Sequence, residues 1–166
     1  MESEKTEPAR NSWLASDDAA LLAQCDFNEY QASGPGGQKR NRKYSAVRLK
    51  HRPTGIEVTA AESRSGKQNR SAALKKLRCS IAVSVRAAAP PVLNRKEVSC
   101  SSPDYPLFLA SVFDAMHKYD FRISEAAEEL GYSTGRLVKL LYRDGSVWQK
   151  INEERKKRNL TPLKGK

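Results

Sequence analysis

The sequence predicts an α+β protein in which a small sheet domain precedes a small all-helical domain. Apolar residues alternate with polar ones between residues 44 and 60, which indicates a β-hairpin, and from residue 74 they recur every three or four positions, which indicates a helix. Pro90 and Pro91 end that helix, and helical sequence resumes after residue 104. We therefore expect an antiparallel or mixed sheet with one packed helix, followed by a helix-turn-helix-like domain.

A chain of 166 residues accommodates one ordinary domain or two small ones. We predict two. The expected division is a disordered N-terminus at 1–14, the sheet domain at 15–89, a linker at 90–103, the helical domain at 104–160 and a basic tail at 161–166.

The sheet domain is expected to begin with a short helix at Ser16, followed by acidic residues typical of a first turn. Leu21, Leu22 and Cys25 supply the apolar face of this helix. Residues 27–33 are interpreted as a strand that leads into a glycine-rich segment.

Residues 44–51 form the clearest strand pattern, with a buried face and a basic outer face. The buried face holds Ser45, Val47, Leu49 and His51, and the outer face holds Ala46, Arg48 and Lys50. A turn at Pro53, Thr54 and Gly55 leads to a second strand at 56–60. A helix from residue 68 then packs Leu74, Leu77, Ile81 and Val85 on the sheet.

Four helical segments are expected in the second domain, at 107–119, 124–130, 134–142 and 147–159. The middle two have helix-turn-helix spacing, with Ala127 where the helices cross and Gly131 in the turn. The apolar residues between these helices are Leu130, Leu137 and Leu140. Such a unit is either a packing module or an RNA contact through Arg136, Lys139 and Arg143, and both interpretations remain open. Tyr142 and Trp148 are expected in its core, and His51 and His117 are expected to be structural residues on apolar faces.

The formal net charge of +11 is concentrated in one segment. Residues 39–78 carry thirteen basic and two acidic side chains, whereas residues 1–37 carry two basic and seven acidic ones. Basic density of this kind favours a polyanionic partner over a merely solvated face. Nucleic acid is therefore the expected partner.

Cys25, Cys79 and Cys100 have neither the spacing of a zinc site nor the number typical of a disulfide framework. The N-terminal sequence lacks the apolar run of a signal peptide, and no stretch reaches the roughly 20 apolar residues of a membrane span. We expect a cytoplasmic monomer with no metal, no cofactor and no membrane partner.

The segment ASGPGGQKRN, residues 32–41, places Gly34, Gly36 and Gly37 directly before a basic run. Glycines of this kind mark either a flexible hairpin connection or a surface that approaches another molecule closely. Their spacing fits neither the G-x-x-x-x-G-K-[ST] nor the G-x-G-x-x-G nucleotide-binding pattern.

The longer string GPGGQ, Asn41, SAVR, H-x-P-T-G-I and R-S-x-x-x-N resembles the catalytic domain of class I peptide chain release factors, including the small ribosome-rescue peptidyl-tRNA hydrolases. The resemblance runs from about Leu21 to Ile81. It implies the fold of that domain, with Gly36, Gly37 and Gln38 as the catalytic loop. Supporting positions that match are Ser33, Gly34, Asn41, Ser45, Arg48, Pro53, Thr54, Gly55, Arg64, Ser65 and Asn69.

The resemblance also implies a reaction, which is hydrolysis of the ester between a nascent peptide and tRNA in the large ribosomal subunit. The Gln38 backbone N–H would stabilise the developing oxyanion. The implied partners are the ribosome, peptidyl-tRNA and a methyltransferase that modifies Gln38. The expected RNA-binding residues are Lys39, Arg40, Arg42, Lys43, Arg48, Lys50, Arg64, Lys67, Arg70, Arg136, Lys139 and Arg143.

Only about 30 residues precede the glycine-rich segment, too few for a domain that reads stop codons. We therefore expect codon-independent release, on stalled ribosomes or on split large subunits. The alternative is a non-catalytic RNA- or DNA-binding protein that uses the helix-turn-helix and the basic surface of the sheet domain.

Overall fold

The computed structural model describes residues 10–32, 44–91, 93 and 98–165. The chain divides into two compact units, residues 1–87 and residues 88–166. In the described residues there are one three-stranded antiparallel sheet and seven helices, which confirms the predicted α+β class.

The first unit combines three helices with the sheet. Its strands pair in the order β1-β2-β3, with Tyr30 opposite Ala46 at one end of the β1–β2 ladder and Cys25 opposite His51 at the other. The elements are α1 (Arg10–Ala15), α2 (Asp18–Leu22), β1 (Cys25–Tyr30), β2 (Ala46–His51), β3 (Glu57–Ala60) and α3 (Gly66–Ser84).

The core of this unit lies between the sheet and α3. Val47 and Leu49 are fully buried, as the alternation predicts, and Leu74, Leu77 and Ile81 of α3 are buried with them. Val85, expected on this helix, follows its end in extended conformation. Ala46 was expected on the outer face but is only 1% exposed. It lies directly across from Tyr30, so the two side chains share a face and the larger one covers the smaller.

Residues 10–14 form most of α1, so the prediction of a disordered N-terminus up to residue 14 is wrong for them. Arg10 is fully buried and donates from Nη1 to the Val85 carbonyl at 3.1 Å. Trp13 is 7% exposed, and its ring lies edge-on to His51 at 4.8 Å. These tertiary contacts hold a helix too short to be stable alone.

The neighbouring boundaries also differ from the prediction by a few residues. Asp17 rather than Ser16 caps α2, because its side chain accepts from the Ala20 N–H at 2.7 Å. Cys25, expected on the helix, begins β1, and this strand ends at Tyr30.

The second unit contains α4 (Tyr105–Lys118), α5 (Ile123–Glu129), α6 (Thr134–Tyr142) and α7 (Gly145–Lys157), which agree with the predicted segments to within two residues. Fully buried side chains from all four helices and from the α4–α5 connection form its core. They include Phe108, Phe113, Met116, Phe121, Ala127, Leu137, Leu141 and Ile151. Val98, in the stretch expected to be a linker, is 7% exposed and belongs to this unit.

Arg155 of α7 ties together three parts of the second unit. Its guanidinium is 8% exposed and donates to the Phe121 carbonyl at 2.6 Å and to the Thr161 carbonyl at 2.7 and 3.0 Å. Asn152 and Leu163 make a further hydrogen bond at 2.7 Å. Residues 161–163, which the sequence assigned to a basic tail, are therefore fastened to α7.

Candidate functional site

The glycine-rich segment falls in the connection between β1 and β2, which comprises residues 31–45. Several expected site residues lie outside the described part of this connection: Gly36, Gly37, Gln38, Lys39, Arg40, Arg42 and Lys43. Both ends of the connection are described. Tyr30 and Ala46 pair across the antiparallel ladder, so the connection leaves and re-enters the sheet on adjacent strands.

Asn69 holds the base of this connection. Its side-chain amide donates to the Ser45 carbonyl at 2.6 Å and to the Ser63 carbonyl at 2.8 Å, and its Oδ1 accepts from the Ser63 N–H at 2.9 Å. Asn69 is 1% exposed. One buried side chain thus joins the start of β2, the turn after β3 and the first turns of α3.

Hydrogen bonds of two serine hydroxyls stabilise the turn that precedes α3. Ser65 caps the helix by accepting from the Gln68 N–H at 3.4 Å, and the Ser63 hydroxyl accepts from the Ser65 N–H at 3.1 Å. The Ser63 hydroxyl also donates to the Gln68 side chain. The turn therefore presents Arg64 in a defined position beside the strand end that Asn69 secures.

The P-T-G-I motif lies at the opposite end of the sheet, in the β2–β3 turn. Thr54 Oγ1 lies 2.8 Å from His51 Nδ1 and accepts from the Ile56 N–H at 3.3 Å, while Gly55 has a φ of +71° that suits glycine. Burial and the nearby Arg52 lower the pKa of His51, so its imidazole is neutral at physiological pH. These residues shape a turn and are separated from the connection by the length of β2.

Arg52 secures the same end of the sheet. Its guanidinium donates to the Cys25 carbonyl at 2.9 Å and to the Ala23 carbonyl at 2.5 Å, and it pairs with Asp26 at 3.2 Å. Because it links the α2–β1 connection to the hairpin turn, its contribution is structural. The sequence offered no signal for this role beyond the positive charge.

The expected RNA-binding residues of the first unit fall into two groups. Arg48 and Lys50 are exposed on the open face of the sheet, where Arg48 pairs with Glu57 at 3.4 Å and covers the Tyr30 ring at 5.2 Å. This face carries carboxylates as well as cations, so it is less basic than the sequence suggested.

Arg64, Lys67 and Arg70 form the second group, around the N-terminus of α3. All three are exposed, and the first turn of α3 contains no acidic residue. The Arg70 guanidinium lies 5.0 Å from the centre of the Phe27 ring. Lys67 and Arg70 lie on α3, which Asn69 joins to the base of the connection, and Arg64 lies in the turn just before this helix.

Exposed Tyr44 was not among the expected site residues. It directly precedes Ser45 and is 68% exposed, the highest value among the large hydrophobic side chains that the structure describes. An exposed aromatic ring beside a basic loop could stack on a nucleotide base. Its position in a basic segment was the only sequence signal.

In the second unit, α5 and α6 have the predicted helix-turn-helix arrangement. Ala127 is fully buried between them, Gly131 adopts a φ of +73° in the turn, and Leu137 and Leu140 face the core. Leu130 is half-buried. Of the expected RNA-binding residues on or next to α6, Lys139 and Arg143 are exposed and Arg136 is half-buried.

Two predictions about aromatic and histidine side chains in this unit are wrong. Tyr142 was expected in the core but is 52% exposed, and Trp148 is half-buried. His117 is exposed near the end of α4, with its ring edge-on to Phe121 at 5.0 Å, whereas it was expected on an apolar face.

Over the described ranges 10–32, 44–91 and 98–165, no cluster of His, Cys, Asp or Glu has the geometry of a metal site. Among the helices formed by these residues, none has the length and apolar character needed to span a membrane. Cys25, Cys79 and Cys100 form no disulfide in the described part of the chain. Burial raises the pKa of the Cys25 thiol above its ordinary value, and this opposes a nucleophilic role.

The described part of the first unit therefore combines a small antiparallel sheet, a packed helix and a long β1–β2 connection whose base Asn69 secures. Residues 22–101 match the model of the RF-1 domain family. The match confirms, for this part of the chain, the resemblance to class I peptide chain release factors that the motifs indicated.

Individual release factors agree with this assignment. The chain is 50% identical over 60 residues to peptide chain release factor 1 of Acidiphilium cryptum, a match that covers 36% of this chain and 17% of the relative. It is 53% identical over 49 residues to peptide chain release factor 1 of Bifidobacterium longum strain DJO10A (30% and 14%). It is 51% identical over 51 residues to peptide chain release factor 2 of Salinispora tropica (31% and 14%). The matches therefore span less than a fifth of each relative.

Proposed function

We propose that this chain hydrolyses the ester bond of ribosome-bound peptidyl-tRNA, that Gly36, Gly37 and Gln38 form the catalytic loop, and that no codon is read. The observation that carries the proposal is the Asn69 anchor, which ties the first turns of α3 and the turn before it to Ser45, at the base of the connection that contains these residues. A rigid base under a long connection suits a loop that must enter a distant reaction centre.

The length of the connection sets how far the loop can reach. Tyr30 and Ala46 are paired, so the fifteen residues 31–45 start and finish at adjacent points of the sheet. Seven residues in extended conformation span at most about 25 Å. Gln38 is the central residue of the fifteen, so the loop can carry it up to that distance from the sheet.

The proposed reaction needs no titrating side chain. A water oxygen bonds to the ester carbonyl carbon, and the bond between that carbon and the ribose oxygen breaks. The peptide leaves with a new carboxyl group, and a proton from the water ends on the ribose hydroxyl. The Gln38 N–H donates to the carbonyl oxygen as negative charge develops there, and a donor of this kind contributes about 3 to 4 kcal/mol.

The cations around the loop supply the affinity for ribosomal RNA. Arg64, Lys67 and Arg70 are exposed on the anchored side of the domain, and four more basic residues, Lys39, Arg40, Arg42 and Lys43, follow Gln38 in sequence. Because neutralised phosphates release counterions, affinity should fall steeply with salt. Arg48 and Lys50 contribute less, since Glu57 lies beside Arg48 and opposite Lys50 in the sheet.

Codon independence is proposed on the basis of the second unit. The RF-1 match ends at residue 101, and the four helices that follow form a separate compact unit with exposed cations on and next to α6. We assign this unit the task of directing the domain to a particular ribosomal state. Stalled ribosomes and split large subunits are the two candidate substrates.

Peptide release from purified ribosomes tests this function. Ribosomes carrying labelled peptidyl-tRNA are prepared with a stop codon, a sense codon or no codon in the A site, and large subunits carrying the same tRNA form a fourth substrate. Comparable release from the first three supports codon-independent hydrolysis. Release restricted to stop codons would refute codon independence, and release restricted to large subunits would identify the split subunit as the substrate.

A second candidate is a nucleic-acid-binding protein without catalytic activity. The exposed Lys139 and Arg143 of the helix-turn-helix favour it. The same release assay separates the two candidates, because a pure binding protein would associate with ribosomes and leave the peptidyl-tRNA ester intact on all four substrates.

A further inference from the structure

Tyr142, at the end of α6, is an exposed aromatic side chain outside the RF-1 match. It is 52% exposed, although α6 buries Leu137, Leu140 and Leu141 on its opposite side. Its ring meets Trp148 of α7 edge-on, with ring centres 5.1 Å apart and planes at 82°. The contact orients the Tyr142 ring and leaves about half of the residue exposed.

Two cations flank Tyr142 without carboxylate partners. Lys139 lies one helical turn before it and Arg143 directly follows it, and both are exposed. In the described part of the chain neither makes an ion pair, and α6 itself contains no acidic residue. Among the described residues, no ion pair therefore neutralises the positive charge beside the ring.

Two carboxylates of the second unit pair with other cations, and Asp144, which follows Arg143, accepts hydrogen bonds from Tyr105 and Ser146. Glu129 pairs with Lys118 at 2.6 Å, and Glu154 pairs with Lys157 and Arg158 at 2.7 Å each. In each such pair, the carboxylate cancels most of the electric field of its cation. By contrast, Lys139 and Arg143 remain available to an anion at the end of α6.

The C-terminal segment completes this surface. Leu163 is held by Asn152, and Gly165 lies so close to the Tyr142 ring that a β-carbon at that position would clash with it. The exposed Lys164 precedes Gly165 and is thereby brought to the same end of α6. The stacking patch, defined as Lys139, Tyr142, Arg143 and Lys164, thus combines one oriented ring with three cations.

We propose that the stacking patch binds single-stranded RNA, with one unpaired base on the Tyr142 ring and the adjacent phosphates on the three cations. Proteins bind unpaired nucleotides by stacking the bases on aromatic rings and pairing the phosphates with nearby cations. In double-stranded RNA the bases are stacked on one another, so only the phosphates would be available to this patch. The choice of RNA as the nucleic acid rests on the proposed function, whose substrate is a tRNA ester on the ribosome.

Photocrosslinking to the intact chain tests the site directly. The probe is a ten-nucleotide uridine RNA with one 5-iodouridine, whose base crosslinks to an aromatic side chain stacked on it. Trypsin cleaves after Lys139 and Arg143, so a crosslink at Tyr142 appears in peptide 140–143, whereas one at Trp148 appears in peptide 144–150. We expect the main crosslink of the second unit in peptide 140–143.

Substitutions separate stacking from packing. Tyr142→Phe should keep the crosslink, and Tyr142→Leu, which preserves apolar bulk without a ring, should lower RNA affinity at this site at least about fivefold. Circular dichroism checks that both variants remain folded. Equal affinity of the Leu and Phe variants, or crosslinks confined to residues 39–78, would overturn the proposal.

A charge-matched pair tests the phosphate contacts. Replacing Lys139 and Arg143 by Gln should reduce the slope of log affinity against log salt by about 1.4, since each phosphate contact on a single strand contributes about 0.7. Replacing Lys150 and Lys157 by Gln removes the same charge from cations already paired with Glu154 and should leave the slope unchanged. Equal slopes for the two double variants would contradict the assignment.

Two further arms identify the ligand and keep this inference separate from the proposed function. A DNA strand of matching sequence that crosslinks in peptide 140–143 as well as the RNA would overturn the choice of RNA. Peptide release is measured on the same protein. If Tyr142→Leu releases peptide and the wild-type protein gives no crosslink in peptide 140–143, the stacking patch alone is refuted. If the wild-type protein gives the crosslink but releases no peptide on any substrate, the proposed function alone is refuted.

Discussion

Removal of the Asn69 side chain should destabilise the first unit more than any nearby surface change. Asn69→Ala leaves the carbonyls of Ser45 and Ser63 and the N–H of Ser63 without their partner, at a position that is 1% exposed. A buried polar group that loses its partner costs about 1 to 3 kcal/mol. Because the turn can relax and admit some water, we expect a total loss of about 2 to 4 kcal/mol rather than three full penalties.

The two tryptophans make this loss measurable in one unit of the full chain. Trp13 lies in the first unit and Trp148 in the second, and the chain contains no others. In a Trp148→Phe background, fluorescence therefore follows unfolding of the first unit alone. For a unit of this size, 1 kcal/mol corresponds to about 4 to 8 °C, so the midpoint of thermal unfolding should fall by at least about 8 °C.

Two companion variants decide whether the hydrogen bonds are the cause. Gln68→Ala changes the neighbouring, exposed residue, whose contact with Ser63 lies at the surface, and should cost less than about 1 kcal/mol. Asn69→Asp keeps the acceptor but sets a carboxylate against two carbonyls, so it should be at least as damaging as Ala. An Asn69→Ala protein within about 0.5 kcal/mol of wild type would refute this reasoning.

Three further predictions concern the second unit, followed by Trp148 fluorescence in a Trp13→Phe background. Hydrogen bonds from Lys157 and Arg158 hold the pKa of Glu154 at about 2, below its ordinary value, so the carboxylate stabilises the unit above about pH 4.3 and loses that effect as the pH falls. Glu154→Gln should therefore lower the unfolding midpoint at pH 7, and a difference in midpoint that persisted well below pH 2 would exclude this cause. Arg155→Met removes three hydrogen bonds to the Phe121 and Thr161 carbonyls and should cost about 2 kcal/mol or more. It should also expose residues 160–165 to proteases. A variant as resistant to proteolysis as wild type would contradict the role of Arg155 in holding this segment. Gly131→Ala should cost about 1 to 2 kcal/mol because of its φ of +73°, unlike Ala at the exposed helical position Gly135.

The helices of the second unit were predictable because apolar residues recur at helical spacing throughout it. By contrast, α1 has six residues and no complete apolar repeat. It exists through contacts distant in sequence, such as the bond between Arg10 and Val85, which local periodicity does not report. The start of the first unit was therefore placed too late.

At the base of the β1–β2 connection, the sequence indicated residues but not the contacts between them. The motifs indicated Ser45 and Asn69, yet the Asn69 contacts are to backbone groups 24 and 6 residues away, which only the folded chain brings together. The motifs also did not separate Thr54, a turn residue at the far end of the sheet, from the residues at the connection. Tyr142 was wrongly expected in the core because it directly follows the buried Leu141. The sequence does not define where the buried face of α6 ends and its exposed face begins.

The rate of peptide release by wild type and by Gly37→Ala, measured at saturating protein on ribosomes with no codon in the A site, tests the central claim most directly. The added β-carbon changes the proposed catalytic loop and leaves the cations of α3 in place, so ribosome binding should stay within about twofold of wild type. Release should fall at least about a hundredfold, the loss expected when an oxyanion donor is misplaced. A Gly37→Ala protein that binds normally and releases peptide at the wild-type rate would contradict the account.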